Sequence, residues 1–173
     1  EKGCYYMYGT TDLEDHCLQA RNTFTVYKSY DLESFDDGKV VVDGGKLGFW
    51  ADRDFWAPEV HFYNGKYYLF GSCIAEGKCR CTQIFVCDTP DGEFVPLSDK
   101  ARTPENWVCL DGTFYLENGV PYMVFSREWI EVKDGQMWAV QLTDDLSDTV
   151  GEPFKLFNAS EAKDVTEYGN IKG

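Results

Sequence analysis

The chain has 173 residues, of which 43% are hydrophobic and 16% aromatic, a composition typical of folded proteins that favours β structure. Its 30 acidic and 16 basic residues give a net charge of −14, and the acids are scattered along the sequence. Such a surface repels polyanions, so nucleic acid and anionic membranes are excluded as expected partners. No apolar run approaches the roughly 20 residues that span a bilayer, and the first residues lack the apolar core of a signal peptide. We therefore expect a soluble chain.

The cysteines form an odd set, and several lie inside apolar, strand-like runs. They are Cys4, Cys17, Cys73, Cys79, Cys81, Cys87 and Cys109. We interpret them as reduced, packed thiols, which favours a cytoplasmic protein; a secreted protein whose leader has been removed is the alternative. Cys73, Cys79 and Cys81 lack the paired Cys-x-x-Cys spacing of zinc sites, so the sequence predicts no metal centre.

Two kinds of segment alternate along the chain. The first is a turn glycine followed by an aromatic strand, at residues 3–10, 65–72 and 119–126. The second is a strand that passes through an Asp-containing turn towards an aromatic residue, at residues 23–35, 82–94 and 137–154. Their turn residues recur at a constant interval of 57 positions: Asp31, Asp88 and Asp145. The constant interval indicates a structural repeat.

A repeat of this length, built from short strands without a 3.6-residue apolar period, has the size of a four-stranded propeller blade. The sequence therefore predicts an all-β fold, a β-propeller of four-stranded antiparallel blades with about three blades present. Residues 1–173 form one partial propeller domain, with blades near 1–50, 51–105 and 106–160 and the start of the next at 161–173. A β-sandwich with similar hairpins is the alternative.

Closed propellers have roughly four to eight blades. We therefore expect open edges, covered by self-association with another copy, by a missing part of the chain or by a partner polypeptide.

Three stretches resemble a known family. "FWAPEVHFYNGKYYLFGS" resembles the second-blade signature of the family 43 glycoside hydrolases, in which a Trp-Ala-Pro-acid run opens an inner strand. "GCYYMYGTTD" resembles the end of the first inner hairpin, and "CLDGTFYLENGVPYMVFSREW" resembles the third blade. The resemblance implies a five-bladed propeller that cleaves arabinose- or xylose-containing glycans with inversion. We expect no cofactor; a structural calcium is possible but not indicated by the sequence.

The resemblance also implies a role for one acid of this sequence, and a second acid is a candidate for another role. Asp111, in "CLDGTFY", matches the Asp that tunes and orients the catalytic groups, with a plain Asp-Gly turn as the alternative. The general acid of the family usually lies on a fourth-blade strand, at or beyond the end of this chain, and Glu128, in "SREW", is the substitute candidate, with an ion pair to Arg127 as the alternative. The base of the family has no match in this sequence. Because the acid protonates the leaving oxygen while the base activates water on the opposite face, both carboxyls are needed for hydrolysis.

Aromatic and acidic neighbours provide the candidates for substrate binding: Phe55, Trp56, Glu59 and Trp129. A ring face can stack on a sugar, although tryptophan often packs between blades instead. Glu59 is expected to border the site as a hydrogen-bonding or capping residue. A piece of a family 43 glycosidase is thus the leading hypothesis, and without the base we do not expect the isolated chain to be active. A non-catalytic carbohydrate-binding module and a structural fragment completed by a second polypeptide are the alternatives.

Overall fold

The computed structural model describes residues 3–10, 22–163, 167–168 and 171–172, and Cys17 and part of the predicted fourth-blade start lie outside these ranges. The described chain folds into three antiparallel sheets, which we call blades one, two and three, and a two-stranded pair. The prediction of an all-β protein built from blade-sized antiparallel sheets is confirmed. In these ranges no helix has the length and apolar character required to cross a membrane.

Blade one has three described strands in the order β1-β2-β3: β1 (Tyr5–Thr10), β2 (Thr23–Ser29) and β3 (Lys39–Asp43). A one-turn helix, α1 (Gly44–Leu47), follows. The Asp43 carboxylate caps it by accepting a hydrogen bond from the Gly45 amide at 3.1 Å. The short helix leads the chain out of blade one and towards blade two.

Blade two has four strands in sequential order: β4 (Arg53–Tyr63), β5 (Lys66–Ile74), β6 (Cys81–Cys87) and β7 (Val95–Pro96). The turn from β4 to β5 consists of Asn64 and Gly65, both with positive φ (47° and 80°). Two such residues make the type I′ turn whose twist matches a tight hairpin. The Asn-Gly pair therefore sets the register of this hairpin.

Blade three repeats the arrangement: β8 (Cys109–Glu117), β9 (Val120–Arg127), β10 (Gln136–Leu142) and β11 (Thr149–Asn158). A one-turn helix, α2 (Trp129–Val132), interrupts the chain between β9 and β10. After β11 come a 3-10 turn at Ala159–Glu161 and the paired strands β12 (Glu167–Tyr168) and β13 (Ile171–Lys172). Antiparallel pairing places the end of β9 beside the start of β8, with Arg127 opposite Cys109.

The core lies in two layers, one on each face of blade two. Phe24 of blade one packs with Leu69 and Phe85 in the first layer, whereas Phe70 packs with Phe125 of blade three in the second. Because alternate residues of a strand point to opposite faces, successive residues of β5 enter different layers. Blade two is therefore buried on both faces and holds the other two blades together.

Candidate active site

The first strands of blades two and three both leave regular pairing near their beginnings. The register of β4 shifts between Arg53 and Trp56, and that of β8 shifts between Leu110 and Thr113. The shifts contain aspartates in the left-handed region, Asp54 (φ 51°) and Asp111 (φ 54°). A non-glycine residue in this region costs about 1–3 kcal/mol and is enriched at functional sites, where bulges re-aim side chains. These breaks mark the end of the sheets where the candidate site lies.

Neighbouring strands hold the backbone at Asp111. The Asp111 amide donates to Ser72 Oγ at 2.9 Å, and the next amide, of Gly112, donates to Thr82 Oγ1 at 3.2 Å. A Cβ on Gly112 would lie 2.6 Å from Thr82 Cγ2, so only glycine fits here without a shift. Asp111 is thus part of β8, locked against blade two, and the alternative of a simple Asp-Gly turn does not describe it.

Two opposing effects act on the Asp111 carboxyl. Partial burial raises its pKa above the usual range, and the nearby positive charge of Arg80 lowers it. No residue in the described ranges donates a hydrogen bond to this carboxylate. One side of Asp111 remains open to solvent, so its oxygens are accessible to a ligand.

Glu128 lies between β9 and α2, and its amide donates to the Val108 carbonyl at 2.9 Å, just before β8. Burial raises the pKa of Glu128, the neighbouring charge of Asp111 raises it further, and Arg80 lowers it. Arg127 forms its ion pair with Glu131 (Nε to Oε2 3.1 Å), so the alternative pairing of Arg127 with Glu128 is not formed. Glu128 is therefore a separate, half-buried carboxyl, and the charge of Asp111 contributes to its raised pKa.

Sequence reasoning missed Arg80. Its side chain is only 8% exposed, and Nη2 lies 3.1 Å from Asp54 Oδ2. We refer to Asp54, Arg80, Asp111 and Glu128 as the Arg80 cluster. The available signal was an arginine enclosed by Cys79 and Cys81 at the start of an apolar strand, because an arginine buried in such a run needs acidic partners.

Trp56 and Glu59 lie beside this cluster on β4. One face of the half-buried Trp56 ring is covered by the Arg80 guanidinium, 3.5 Å from the ring centroid. Glu59 Oε1 accepts a hydrogen bond from Thr113 Oγ1 of β8 at 2.7 Å and also contacts His61 Nε2. Glu59 thus connects the first strands of blades two and three, and His61 packs against Phe114 of blade three.

The two remaining candidates for sugar stacking differ in exposure. Trp129 is 43% exposed at the start of α2, directly after Glu128. Phe55 is fully buried and packs against Phe24, with Gly44 so close that an added Cβ would lie 2.6 Å from the Phe55 ring. The prediction that Phe55 stacks on a sugar is corrected: its ring is fully buried in the core layer that it shares with Phe24 of blade one.

The cysteines of the described ranges are free thiols. Cys73 and Cys81 are opposite each other on β5 and β6, and burial raises the pKa of both thiols, which makes them poor nucleophiles and ligands. Within the part of the chain that the structure describes, no three His, Cys, Asp or Glu side chains are grouped so that they could hold a metal.

Comparison with known proteins shows which family this chain resembles. The family model of the glycosyl hydrolases family 43 matches residues 1–169. An endo-arabinase from Bacteroides thetaiotaomicron has a similar structure, with a TM-score of 0.83 and 39% identity over 98% of this chain and 57% of that one. A thermostable family-43 glycoside hydrolase superposes with a TM-score of 0.78 at 21% identity, covering 98% of this chain and 58% of that chain. At this low identity, the second similarity shows the fold alone.

Relatives known by sequence point the same way. A probable arabinan endo-1,5-alpha-L-arabinosidase C of Aspergillus niger is 29% identical over 149 residues, covering 78% of this chain and 44% of the relative. The xylosidase/arabinosidase 43A of Humicola insolens is 29% identical over 143 residues, covering 79% of this chain and 42% of the relative. The chain thus spans about half the length of the relatives it matches. Since the family model covers nearly all of it, the chain belongs to family 43 of the glycosyl hydrolases.

Proposed function

We propose that this protein hydrolyses arabinosyl or xylosyl glycosidic bonds with inversion, using Glu128 as the general acid and Asp111 to tune and orient it. The observation that carries the proposal is the coupled pair itself. Asp111 lies on β8 and Glu128 lies between β9 and α2; burial raises the pKa of both, and Arg80 is a neighbouring cation for both. Pairs of carboxyls in unequal environments are typical of glycosidases.

The proposed roles follow from the surroundings of each carboxyl. Hydrolysis requires a proton for the leaving oxygen, and Glu128 retains its proton to a higher pH because it is half-buried and faces the charge of Asp111. Asp111 is more open and is held by β5 and β6 through its own amide and that of Gly112. Its charge therefore acts on Glu128 from a fixed position. The general base that activates water is assigned to none of the described residues.

Substrate contacts are proposed at the aromatic rim. Trp129 offers an exposed ring next to Glu128, and Trp56 offers an edge next to the Arg80 cluster. Glu59, at 45% side-chain exposure, borders the same region and retains its second oxygen for a sugar hydroxyl. The relatives carry names for arabinan and for xylosides, so arabino- and xylo-oligosaccharides are the proposed substrates.

A leaving-group comparison tests the proposal. A general acid matters most when the leaving oxygen is strongly basic, so Glu128→Gln should lower kcat/KM by about 10²–10⁴-fold on oligosaccharides and much less on dinitrophenyl glycosides. Glu131→Gln, which changes a nearby acid paired with Arg127, is the matched control and should not discriminate between the two substrates. NMR of the first-formed sugar should show the inverted anomer.

Two outcomes would contradict this assignment. Equal losses on both substrates would remove Glu128 from the role of acid. Binding of oligosaccharides, measured by calorimetry, without turnover would instead identify a non-catalytic carbohydrate-binding module.

We also propose a reducing compartment for the protein, supported by the free, partly buried thiols. Self-association or a partner chain is proposed for the outer faces of blades one and three, where Met7 and Phe154 are 48% and 49% exposed. Alkylation of the thiols in freshly extracted protein tests the first proposal. The native mass of the protein in solution tests the second.

A further inference from the structure

Two buried hydroxyl side chains of blade two face the break in β8. Ser72 on β5 and Thr82 on β6 are directly opposite each other in the antiparallel pair, and their exposed fractions are 1% and 0%. Side chains opposite each other in an antiparallel pair project from the same face of the sheet. The two hydroxyls therefore lie side by side, on the face of blade two that contacts β8.

Each hydroxyl accepts a hydrogen bond from one of two consecutive amides. Ser72 Oγ accepts from the Asp111 amide at 2.9 Å, and Thr82 Oγ1 accepts from the Gly112 amide at 3.2 Å. Both amides belong to residues inside the register shift of β8. A buried amide without an acceptor is costly, so these two side chains stabilise the break in the form that the structure shows. Unlike bonds to main-chain carbonyls, both are lost when the side chain is changed.

The Thr82 acceptor is itself held on both sides of its backbone. Its amide donates to Thr103 Oγ1 at 3.1 Å, and its carbonyl accepts from the Arg102 amide at 2.8 Å. Residues 102 and 103 lie in the connection that leads from β7 to β8. Gly112 permits the close approach of β8, because an added Cβ would lie 2.8 Å from Thr82 Oγ1. The connection between the blades therefore fixes the hydroxyl against which β8 is placed.

Blade one contains a comparable arrangement within a single turn. Ser29 is 1% exposed, and its Oγ accepts from the amides of Asp31 at 3.2 Å and Leu32 at 2.7 Å. Leu32 is in the left-handed region, with a φ of 65°. A buried hydroxyl thus holds a left-handed residue there too, but the hydroxyl and the amides belong to the same turn. At the β8 break the hydroxyls come from another blade, at sequence separations of 39 and 30 residues.

We propose that Ser72 and Thr82 are positioning residues, whose hydroxyls impose the left-handed conformation of Asp111 and so set the direction in which its carboxylate leaves β8. A non-glycine residue stays in this region only when its surroundings over-determine it, and the direction of the Cα–Cβ bond follows the backbone. The conformational part of this inference stands on the two hydrogen bonds. The catalytic part rests on the proposed function, in which Asp111 acts on Glu128 from a fixed position.

The experiment removes each hydroxyl with little change in volume. Ser72→Ala and Thr82→Val lose the acceptor, whereas Thr82→Ser keeps it. NMR of the folded variants reports the conformation without substrate, through amide hydrogen exchange at residues 111 and 112 and through the Cα and Cβ chemical shifts of Asp111. Kinetics on arabino- and xylo-oligosaccharides separate kcat from KM. Either single variant is sufficient if the other does not fold.

Ser29→Ala is the matched control. Ser29 is as deeply buried as Ser72, and its hydroxyl also accepts hydrogen bonds from two consecutive amides at an aspartate. Its replacement should destabilise blade one. Amide exchange and chemical shifts at Asp111, and also kcat, should keep their parental values in this control.

We expect Ser72→Ala and Thr82→Val to speed amide exchange at residues 111 and 112 respectively and to shift the carbon resonances of Asp111. In both variants kcat should fall by about 10²-fold with little change in KM, because a small displacement of a catalytic group lowers the rate without removing substrate contacts. Thr82→Ser should retain parental values.

Three outcomes would overturn the inference. They are parental exchange and chemical shifts in folded Ser72→Ala or Thr82→Val, an unchanged kcat in a variant whose Asp111 resonances have shifted, and an equal loss of kcat in Ser29→Ala. Altered exchange and shifts in variants of a parent that does not hydrolyse these substrates would support the conformational role and instead reject the proposed function.

Discussion

The first strands of blades two and three contain the same irregularity with different consequences. Both β4 and β8 break their register at an aspartate with positive φ, Asp54 and Asp111. Asp54 receives the guanidinium of Arg80 directly, whereas no described donor reaches the Asp111 carboxylate. The same backbone strain therefore produces a neutralised counter-ion in one strand and an available acid in the other. The neighbouring strand, rather than the local conformation, decides which role an aspartate can take.

The largest expected effect is a difference in activity between substitutions at these two aspartates. Asp111→Asn keeps the left-handed conformation, which asparagine tolerates, but removes the charge that acts on Glu128. For Asp111→Asn we expect kcat/KM on arabino- or xylo-oligosaccharides to fall by about 10³-fold or more. For Asp54→Asn, which acts only through Arg80, we expect kcat/KM to fall by roughly tenfold. Steady-state kinetics of both variants test the comparison. Equal losses would mean that the two breaks are functionally equivalent.

A smaller effect concerns the packing that holds the β8 break in place. Gly112→Ala would force Thr82 or Met123 to move, because the new Cβ would lie 2.6 Å from Thr82 Cγ2 and 3.0 Å from Met123 Sδ. Overpacking of this kind costs about 1–3 kcal/mol of unfolding free energy. Gly9→Ala in β1 is the control, since its nearest neighbour would be Tyr27 at 3.9 Å. Urea denaturation should therefore show a lower midpoint for Gly112→Ala and little change for Gly9→Ala.

The smallest effect is a dependence of stability on pH. Because burial raises the pKa of Asp111, the folded state binds this proton more tightly than the unfolded state does. The stabilising contribution of the protonated group is complete below the usual pKa near 3.9 and is lost as the pH rises through the raised value. Asp111→Asn should therefore be more stable than the parent at neutral pH, and this advantage should disappear in acid.

Asp145 provides a control of opposite sign. Hydrogen bonds from Ser147 and Thr143 lower its pKa to about 2. Its contribution to stability is present above the usual Asp pKa and is lost as the pH falls towards 2, so Asp145→Asn should be less stable than the parent at neutral pH. Thermal melts over a pH series measure both differences. The same sign for both variants at neutral pH would contradict this account of Asp111.

The repeated aspartates show which features the spacing of residues predicts and which it does not. Asp31 in blade one and Asp145 in blade three have the same structural role. Each carboxylate accepts hydrogen bonds from amides of its own turn, including those of Ser34 at 2.8 Å and Ser147 at 3.0 Å. Asp88 has the same spacing but forms an exposed ion pair with Lys66 at 3.2 Å. The repeat correctly located a turn directly after a strand at Asp31, Asp88 and Asp145. It did not predict the contacts of each aspartate, which depend on the residues that follow it.

The sequence by itself determined the class of fold and the family. The sequence shows aromatic strands with a period of two residues, turn glycines and a constant interval between turn aspartates. These features can be recognised without knowledge of contacts between distant residues. The motif around Trp56 and the Asp-Gly pair at Asp111 belong to the same local information, and they led to the correct family.

Only the tertiary structure decided which side chains meet. Phe55 and Trp56 are adjacent in sequence, yet one fills the core and the other supports Arg80, because successive residues of β4 point to opposite faces and packing decides which face is buried. Arg80 is 31 residues from Asp111 and 48 from Glu128, and no pattern along the chain joins them. Their coupling arises because electrostatic interactions and hydrogen bonds depend on distance in space, which the packing of blade two against blade three sets.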